Sequence, residues 1–156
     1  MRIARDGTWY YQGTQINRIA LVKLFASVLR RDESGGYWLV TPVERGRIQV
    51  DDAPFTAVAL SRAGEGEGQT LYFRTNLDHH VTAGPEHPIR VSFAPGTGEP
   101  RPYILILPGL EALIVRSVYY ELADLAVEHN GRIGIWSERT FFPIDQPPAM
   151  PVTRMP

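Results

Sequence analysis

Arg18-Ile19-Ala20-Leu21-Val22-Lys23-Leu24-Phe25-Ala26-Ser27-Val28-Leu29-Arg30-Arg31, then Ser34-Gly35-Gly36, then Tyr37-Trp38-Leu39-Val40-Thr41, is the stretch that decides the fold class. Leu21, Val22, Phe25, Val28 and Leu29 recur at three- and four-residue spacings, which puts them on one face of a helix. The helix is expected from about Asn17 to Arg31. The Asn17 side chain can accept from the free amides of the first turn. Arg30 and Arg31 suit the negative C-terminal end. The glycine pair stops the helix. Beyond it, Tyr37 to Thr41 and Arg47 to Val50 read as a strand pair with Pro42 at its corner.

Working outward, Thr8 to Ile16 reads as a short hairpin around Gly13. Phe55 to Ser61 and Gln69 to Thr75 flank Gly64-Glu65-Gly66-Glu67-Gly68, a hairpin loop by composition. Ile89 to Phe93, Tyr103 to Leu107, Arg132 to Trp136 and Thr140 to Ile144 read as further strands. A second helix is expected from about Leu110 to Glu128, with Ile114, Val118, Leu122 and Leu125 on its buried face and Asn130-Gly131 at its end. Gly36-Tyr37-Trp38-Leu39-Val40-Thr41-Pro42-Val43-Glu44-Arg45 after the first helix echoes Gly131-Arg132-Ile133-Gly134-Ile135-Trp136-Ser137-Glu138-Arg139 after the second. The expected fold is therefore α+β, with two small similar halves, each a mostly antiparallel sheet with one main helix. The expected divisions are residues 1–78 and 79–145, with a proline-rich tail over 146–156 as an extended or disordered arm.

Composition narrows the function classes. Of the 156 residues, 44% are hydrophobic and 21% charged, a globular balance. With no cysteine, disulfides, thiolate metal sites and cysteine nucleophiles are excluded. The N-terminus, Met1-Arg2-Ile3-Ala4-Arg5-Asp6-Gly7, has no apolar run behind its charges, as a signal peptide would. The longest apolar runs fall far short of the ~20 residues that span a bilayer. These features lead us to expect a cytoplasmic protein that does not engage membrane. The net charge is −1, and basic and acidic residues balance in both halves, so no nucleic-acid partner is expected either.

The chemical motifs are weak. The glycine–glutamate loop precedes a strand, whereas a dinucleotide loop opens a helix, and its glutamates repel phosphate. Asp78-His79-His80 with His87 could supply metal ligands, but neighbours on a strand point to opposite faces. No Gly-x-Ser-x-Gly elbow exists. Trp9 and Tyr11 should be buried on one strand face and Tyr10 exposed on the other. The Trp9-Tyr10-Tyr11 and Tyr119-Tyr120 clusters suit core packing more than a stacking platform. Asp51 and Asp52 precede Pro54 and can either cap backbone amides or engage a ligand. Arg18 and Arg116, early in their helices, need carboxylate partners or an anionic ligand; Asp51, Glu44, Glu111 and Glu138 are the candidate partners. Arg74-Thr75-Asn76 ends a strand with three polar side chains, as a pocket mouth does.

Together these stretches carry a family resemblance. Asp6 to Tyr11, Arg18 to Leu29, Tyr37 to Glu44, Val50 to Phe55, Phe73 to Asn76, Pro102 to Leu105, Gly109 to Ala112 and Arg116 to Leu122 make the chain resemble the bacterial domain-of-unknown-function family 1285, up to about Ile144. The resemblance implies a two-part α+β fold with repeated motifs, no established activity, and a role in signal transduction proposed on structural grounds alone. Family members carry a basic residue near Leu107 and Leu113, where this chain is apolar, which implies a plainer pocket.

The expected function is a non-catalytic regulatory module binding a small anionic ligand or a protein partner in a cleft between the halves, without a cofactor or metal. The candidate ligand residues are Arg18, Thr41, Glu44, Asp51, Asp52, Arg74, Asn76, Glu111, Arg116 and Tyr120. The alternative is a small hydrolase using Asp51, Glu44 or Glu111 as general base. A third is a scaffold joined through a sheet edge or the tail. Oligomeric state is open.

Overall fold

A computed structural model describes residues 1–147, so the expected tail lies almost wholly outside the described residues. The first sheet is built from β1 (Arg2–Ile3), β2 (Trp9–Tyr11), β3 (Thr14–Gln15), β4 (Leu29–Arg31), β5 (Tyr37–Val40) and β6 (Arg45–Val50). Its order is β3-β2-β1-β6-β5-β4. It is two three-stranded meanders joined edge to edge by the one parallel pair, β1 with β6. Helix α1 (Ile19–Ser27) connects the two meanders.

The second sheet contains β7 (Phe55–Ala63), β8 (Thr70–Thr75), β9 (His80–Thr82), β10 (Ile89–Phe93), β11 (Pro100–Leu107) and β12 (Leu110–Ile114). Its order is β10-β11-β12-β7-β8-β9, again with one parallel joint, β12 with β7. Strand for strand, β7 to β12 repeat the topology of β1 to β6. Helix α2 (Arg116–Ala123) follows the second sheet and packs on β7. A third, three-stranded sheet of β13 (Val127–His129), β14 (Arg132–Ser137) and β15 (Thr140–Pro143) closes the described fold. Ser137 pins it to the second sheet: its buried hydroxyl donates to the Ala83 carbonyl at 2.7 Å and accepts from the Leu71 amide at 2.9 Å.

The α+β class and the two similar halves are what the sequence pattern predicted. Several elements differ. The first helix is shorter at both ends: Arg18, not Asn17, stands at its N-cap, and no side chain caps it. Leu29–Arg31 forms β4 because Leu29, fully buried, pairs across the sheet with Leu39. Arg30 does serve the helix end, donating to the carbonyls of Ser27 and Leu29 at 3.2 and 2.7 Å. The expected second helix is in fact a strand, a two-turn helix and another strand. Tyr11 is half exposed, whereas Trp9 is buried.

The topological repeat also lies elsewhere than the sequence echo. Tyr37 to Arg45 spans β5 and β6, whose counterparts in the second sheet are β11 and β12, not the β14–β15 hairpin. A division at 78/79 would cut between β8 and β9, which are hydrogen-bonded neighbours through Arg74↔His80. The sheets themselves part between Val50 and Phe55.

The main core joins both sheets and both helices: Ile3, Trp9, Val22, Leu29, Phe55, Phe73, Ile104, Val118, Leu122 and Ile135 belong to one cluster. Trp9 stacks on Phe25 of α1 with ring centroids 6.3 Å apart. A satellite of Ala53, Tyr103 and Leu113 lies on the opposite face of the second sheet, and the candidate site is built over it.

Candidate functional site at the junction of the sheets

Two groups of residues gather where the first sheet meets the second. The β1–β2 turn supplies the first. Gly7 takes φ +91°, open to glycine at little cost, and a Cβ there would lie 2.6 Å from Asn76 Nδ2. Asn76 in turn pairs with Thr56 through both backbone and side chain, accepting from the Thr56 amide at 3.1 Å on Oδ1. This close approach seats Arg5 and Asp6 against the second sheet. Asp6 accepts from the Thr8 amide, which holds its carboxyl below the usual range.

The second group is a groove of about 480 Å³. Pro102, Leu113 and Ile114 floor it, and Tyr119 and Tyr120 of α2 form one wall. Arg5, Asp6, Glu99 and Arg116 stand around its mouth. The apolar residues come from adjacent antiparallel strands β11 and β12, where Tyr103 and Leu113 are directly opposite. Arg116 is the first residue of α2 and is paired only loosely with Glu99, at 3.4 Å, with 74% of its side chain exposed. No side chain caps the first turn of α2.

Beside the groove floor runs a polar network. The Tyr103 hydroxyl donates to Asp52 Oδ1 at 2.6 Å. Arg5 reaches Asp52 Oδ2 at 3.6 Å. Glu111 binds Arg90 through two hydrogen bonds of 2.7 Å, and the Arg90 guanidinium lies 4.4 Å from the Tyr103 ring centroid. Burial, reinforced by the hydrogen bond to Asp52, pushes the Tyr103 hydroxyl up to about 12. Glu111 likewise holds the Arg90 guanidinium above its usual value.

Of the expected site residues, the structure brings Asp52 and Glu111 into this network and Arg116 and Tyr120 into the groove beside it. Asn76 anchors the neighbouring turn. The others lie apart. Asp51 is clasped by Arg2 at 2.6 and 2.9 Å, which depresses its carboxyl. Thr41 and Glu44 close the β5–β6 turn, where the Thr41 hydroxyl accepts from the Glu44 amide at 3.2 Å. Arg74 pairs with Asp78, which also receives Lys23 of α1 at 2.8 Å. Arg18 is exposed at the head of α1, with no ion-pair partner among the described residues. A general base needs a free carboxylate with a raised pKa; Asp51 shifts the other way, and Glu111 is engaged by Arg90. Glu138 sits in a left-handed turn and approaches Thr70. Among the described residues, no three His, Asp or Glu side chains converge as metal ligands. His79 packs edge-on against Phe55, and His80 is exposed.

Sequence reasoning missed Arg5, Asp6, Glu99, Pro102 and Tyr103. The Asp6-Gly7 pair was the available signal, since a glycine after an aspartate marks a turn that carries its neighbours to one place. Nothing local marked Glu99.

Family models match almost the whole described chain. "Domain of unknown function (DUF1285), N-terminal domain" matches residues 1–53, and "Protein of unknown function (DUF1285), C-terminal domain" matches residues 54–144. The chain belongs to the DUF1285 family. The two models meet at 53/54, between the sheets. A crystal structure of a DUF1285 family protein from Silicibacter pomeroyi is 53% identical, with a TM-score of 0.88 over 92% of this chain and 78% of that one. A second, from Shewanella baltica, is 28% identical, with a TM-score of 0.60 over 79% of this chain and 89% of that one. No curated protein matches. No helix among the described residues is long and apolar enough to cross a membrane.

Proposed function

We propose that this DUF1285 protein is a non-catalytic binding module whose ligand lies in the groove between the sheets. The ligand class is a small molecule with an apolar or aromatic body and one acidic group. The observation that carries this reading is the composition of the groove: a proline, leucine and tyrosine lining with Arg5 and Arg116 at its mouth. Both arginines have weakly held partners, at 3.6 and 3.4 Å: the Arg116–Glu99 pair is exposed on both sides and contributes little, and the half-exposed Arg5 reaches only the edge of the largely buried Asp52. Either guanidinium can turn to a ligand carboxylate or phosphate, where its planar fork makes two hydrogen bonds. The uncapped first turn of α2 adds free amides on the same side.

The reading includes a regulatory role, because Arg5 comes from the β1–β2 turn of the first half and Arg116 from α2, which packs on the second sheet. A ligand held by both would tighten the junction, which is how binding in such a module becomes a signal. Carboxylates such as Asp51 and Glu111 are already committed to arginines, so the groove is better suited to hold than to react.

A thermal-shift series with aliphatic and aromatic monocarboxylates and monophosphates tests this. A ligand at a hundred times its Kd stabilises the folded state by about 2.7 kcal/mol, several degrees for a chain of this size. The shift should vanish in the double variant Arg5→Ala/Arg116→Ala and shrink in Tyr120→Ala. Hits that stabilise the double variant as well as the wild type, or a series without hits, would sink the reading.

A further inference from the structure

The outer face of the first sheet carries an arrangement that the groove does not use. Cross-strand register puts Arg30, Trp38 and Arg47 in one row over β4, β5 and β6. Val40 and Arg45 form the next row, and Gln49, Arg2, Tyr10 and Gln15 another. These residues face away from Ile3, Trp9, Leu29 and Ile48, which are buried on the other side. Arg45 lies over the Trp38 ring at 4.2 Å and Arg47 at 5.7 Å. Arg2 lies over Tyr10 at 5.4 Å.

The acids near this face form no ion pair with Arg30, Arg45 or Arg47 among the described residues. Asp32 is saturated by Ser34, Gly36 and the Trp38 indole, and these bonds hold its carboxyl well below the usual range. Asp51 is occupied by Arg2 and Gln49. Glu44 stands in the exposed β5–β6 turn. The Trp38 ring restrains the Arg45 and Arg47 guanidiniums, so less freedom is lost when their N–H groups engage a partner.

We infer that this face docks an acidic, extended segment of a protein partner. Carboxylates match the forks of the stacked guanidiniums. Alternate side chains of an extended segment recur at ~7 Å, the spacing of same-face residues such as Arg45 and Arg47 on one strand. A nucleic acid fits less well, because the outer ring faces that bases would stack on are already covered by arginines.

The test is fluorescence anisotropy of a labelled alternating Glu-Ala decapeptide with the full chain at low salt. We expect saturable binding that weakens as salt rises. It should weaken roughly tenfold or more in Arg45→Glu/Arg47→Glu, a change of about 1.4 kcal/mol. It should weaken less in Arg45→Lys/Arg47→Lys, and stay unchanged in Arg62→Glu/Arg139→Glu, which makes the same net charge change elsewhere. All variants should keep the wild-type thermal midpoint, since the substituted side chains are exposed. Equal losses in the two charge-reversed pairs, or no binding by the wild type, would overturn the inference. So would tighter binding of a thymidine decanucleotide through the same arginines, which would make the face a nucleic-acid surface. Loss of peptide binding in Arg5→Ala/Arg116→Ala would transfer it to the groove.

Discussion

The two six-stranded sheets share one topology and differ in what covers them. In the second sheet the joint strands are buried on both faces: Phe55, Thr56 and Ala57 of β7 and Ala112, Leu113 and Ile114 of β12 are all buried in succession. In the first sheet the corresponding β6 buries only Ile48. The second sheet carries α2 and the third sheet and also receives the β1–β2 turn. The first is covered by α1 and the shared core on one side alone. A shared strand order thus yields a packed platform in one half and an open arginine face in the other. Hydrogen-bond topology sets the frame, and what docks on each face sets the side chains.

The strongest way to break this contrast is at the doubly buried joint. Phe55 is fully buried in the main core and meets the edge of the His79 ring at 5.0 Å. Phe55→Ala should cost about 3–5 kcal/mol, the range for deleting a buried aromatic ring. Trp38→Ala, on the open face of the first sheet, should cost far less. Urea unfolding of the two variants checks this. A Trp38→Ala loss as large as that of Phe55→Ala would mean that the outer face is covered as well.

The same contrast explains what could be read in the sequence. In the open sheet, Tyr37 to Thr41, rich in aromatic and branched residues and stopped by Pro42, and Arg47 to Val50 were recognisable as strands. The hairpin loop over 64–68 and the strands around it were legible from glycine alone. Ala112 to Ile114 is buried residue after residue, and so short an apolar run has no period to separate strand from helix. It therefore merged with α2 into one long helix in the sequence reading. Leu29 fell at helical spacing from Phe25 and Val22, and only its pairing with Leu39, a tertiary contact, made it a strand. The candidate site was partly legible. Arg116 and Tyr120 stand four residues apart on one helix, and Asp52 precedes a fixed turn. Its other members, Arg5, Glu99 and Tyr103, meet only because the sheets dock, and no local spacing encodes docking.

A middle-sized effect is expected at the polar network between the sheets. Tyr103→Phe removes the donor to Asp52, a hydrogen bond to a charged group worth about 1.5–3 kcal/mol. It should also change the alkaline limb of stability. The folded-state pKa of Tyr103 is raised from 10.0 to about 12. Its contribution is therefore fully present below pH 10 and is lost as pH rises from there through 12. The variant should show a shallower decline over that window, with Tyr37 and Tyr119, also raised by burial, leaving part of the slope. Urea midpoints at neutral and alkaline pH measure both effects. An alkaline slope identical to the wild type would separate Tyr103 from the linkage.

The smallest expected effect compares two arginines that each lie over an aromatic ring. Arg90 is 4.4 Å from the Tyr103 centroid and doubly bonded to Glu111, whose side chain is only 18% exposed. Arg47 is 5.7 Å from the Trp38 centroid with no ion-pair partner among the described residues. Removing the first charge leaves a largely buried carboxylate without its partner; removing the second leaves nothing unpaired. Arg90→Gln should therefore destabilise by about 1 kcal/mol, a figure tempered by the solvent around the exposed guanidinium. Arg47→Gln should stay within about 0.5 kcal/mol of the wild type. If Arg47→Gln proved the more costly, the guanidinium on Trp38 would be a structural prop of the first sheet. Its free N–H groups would then no longer argue that the face is kept open for a partner.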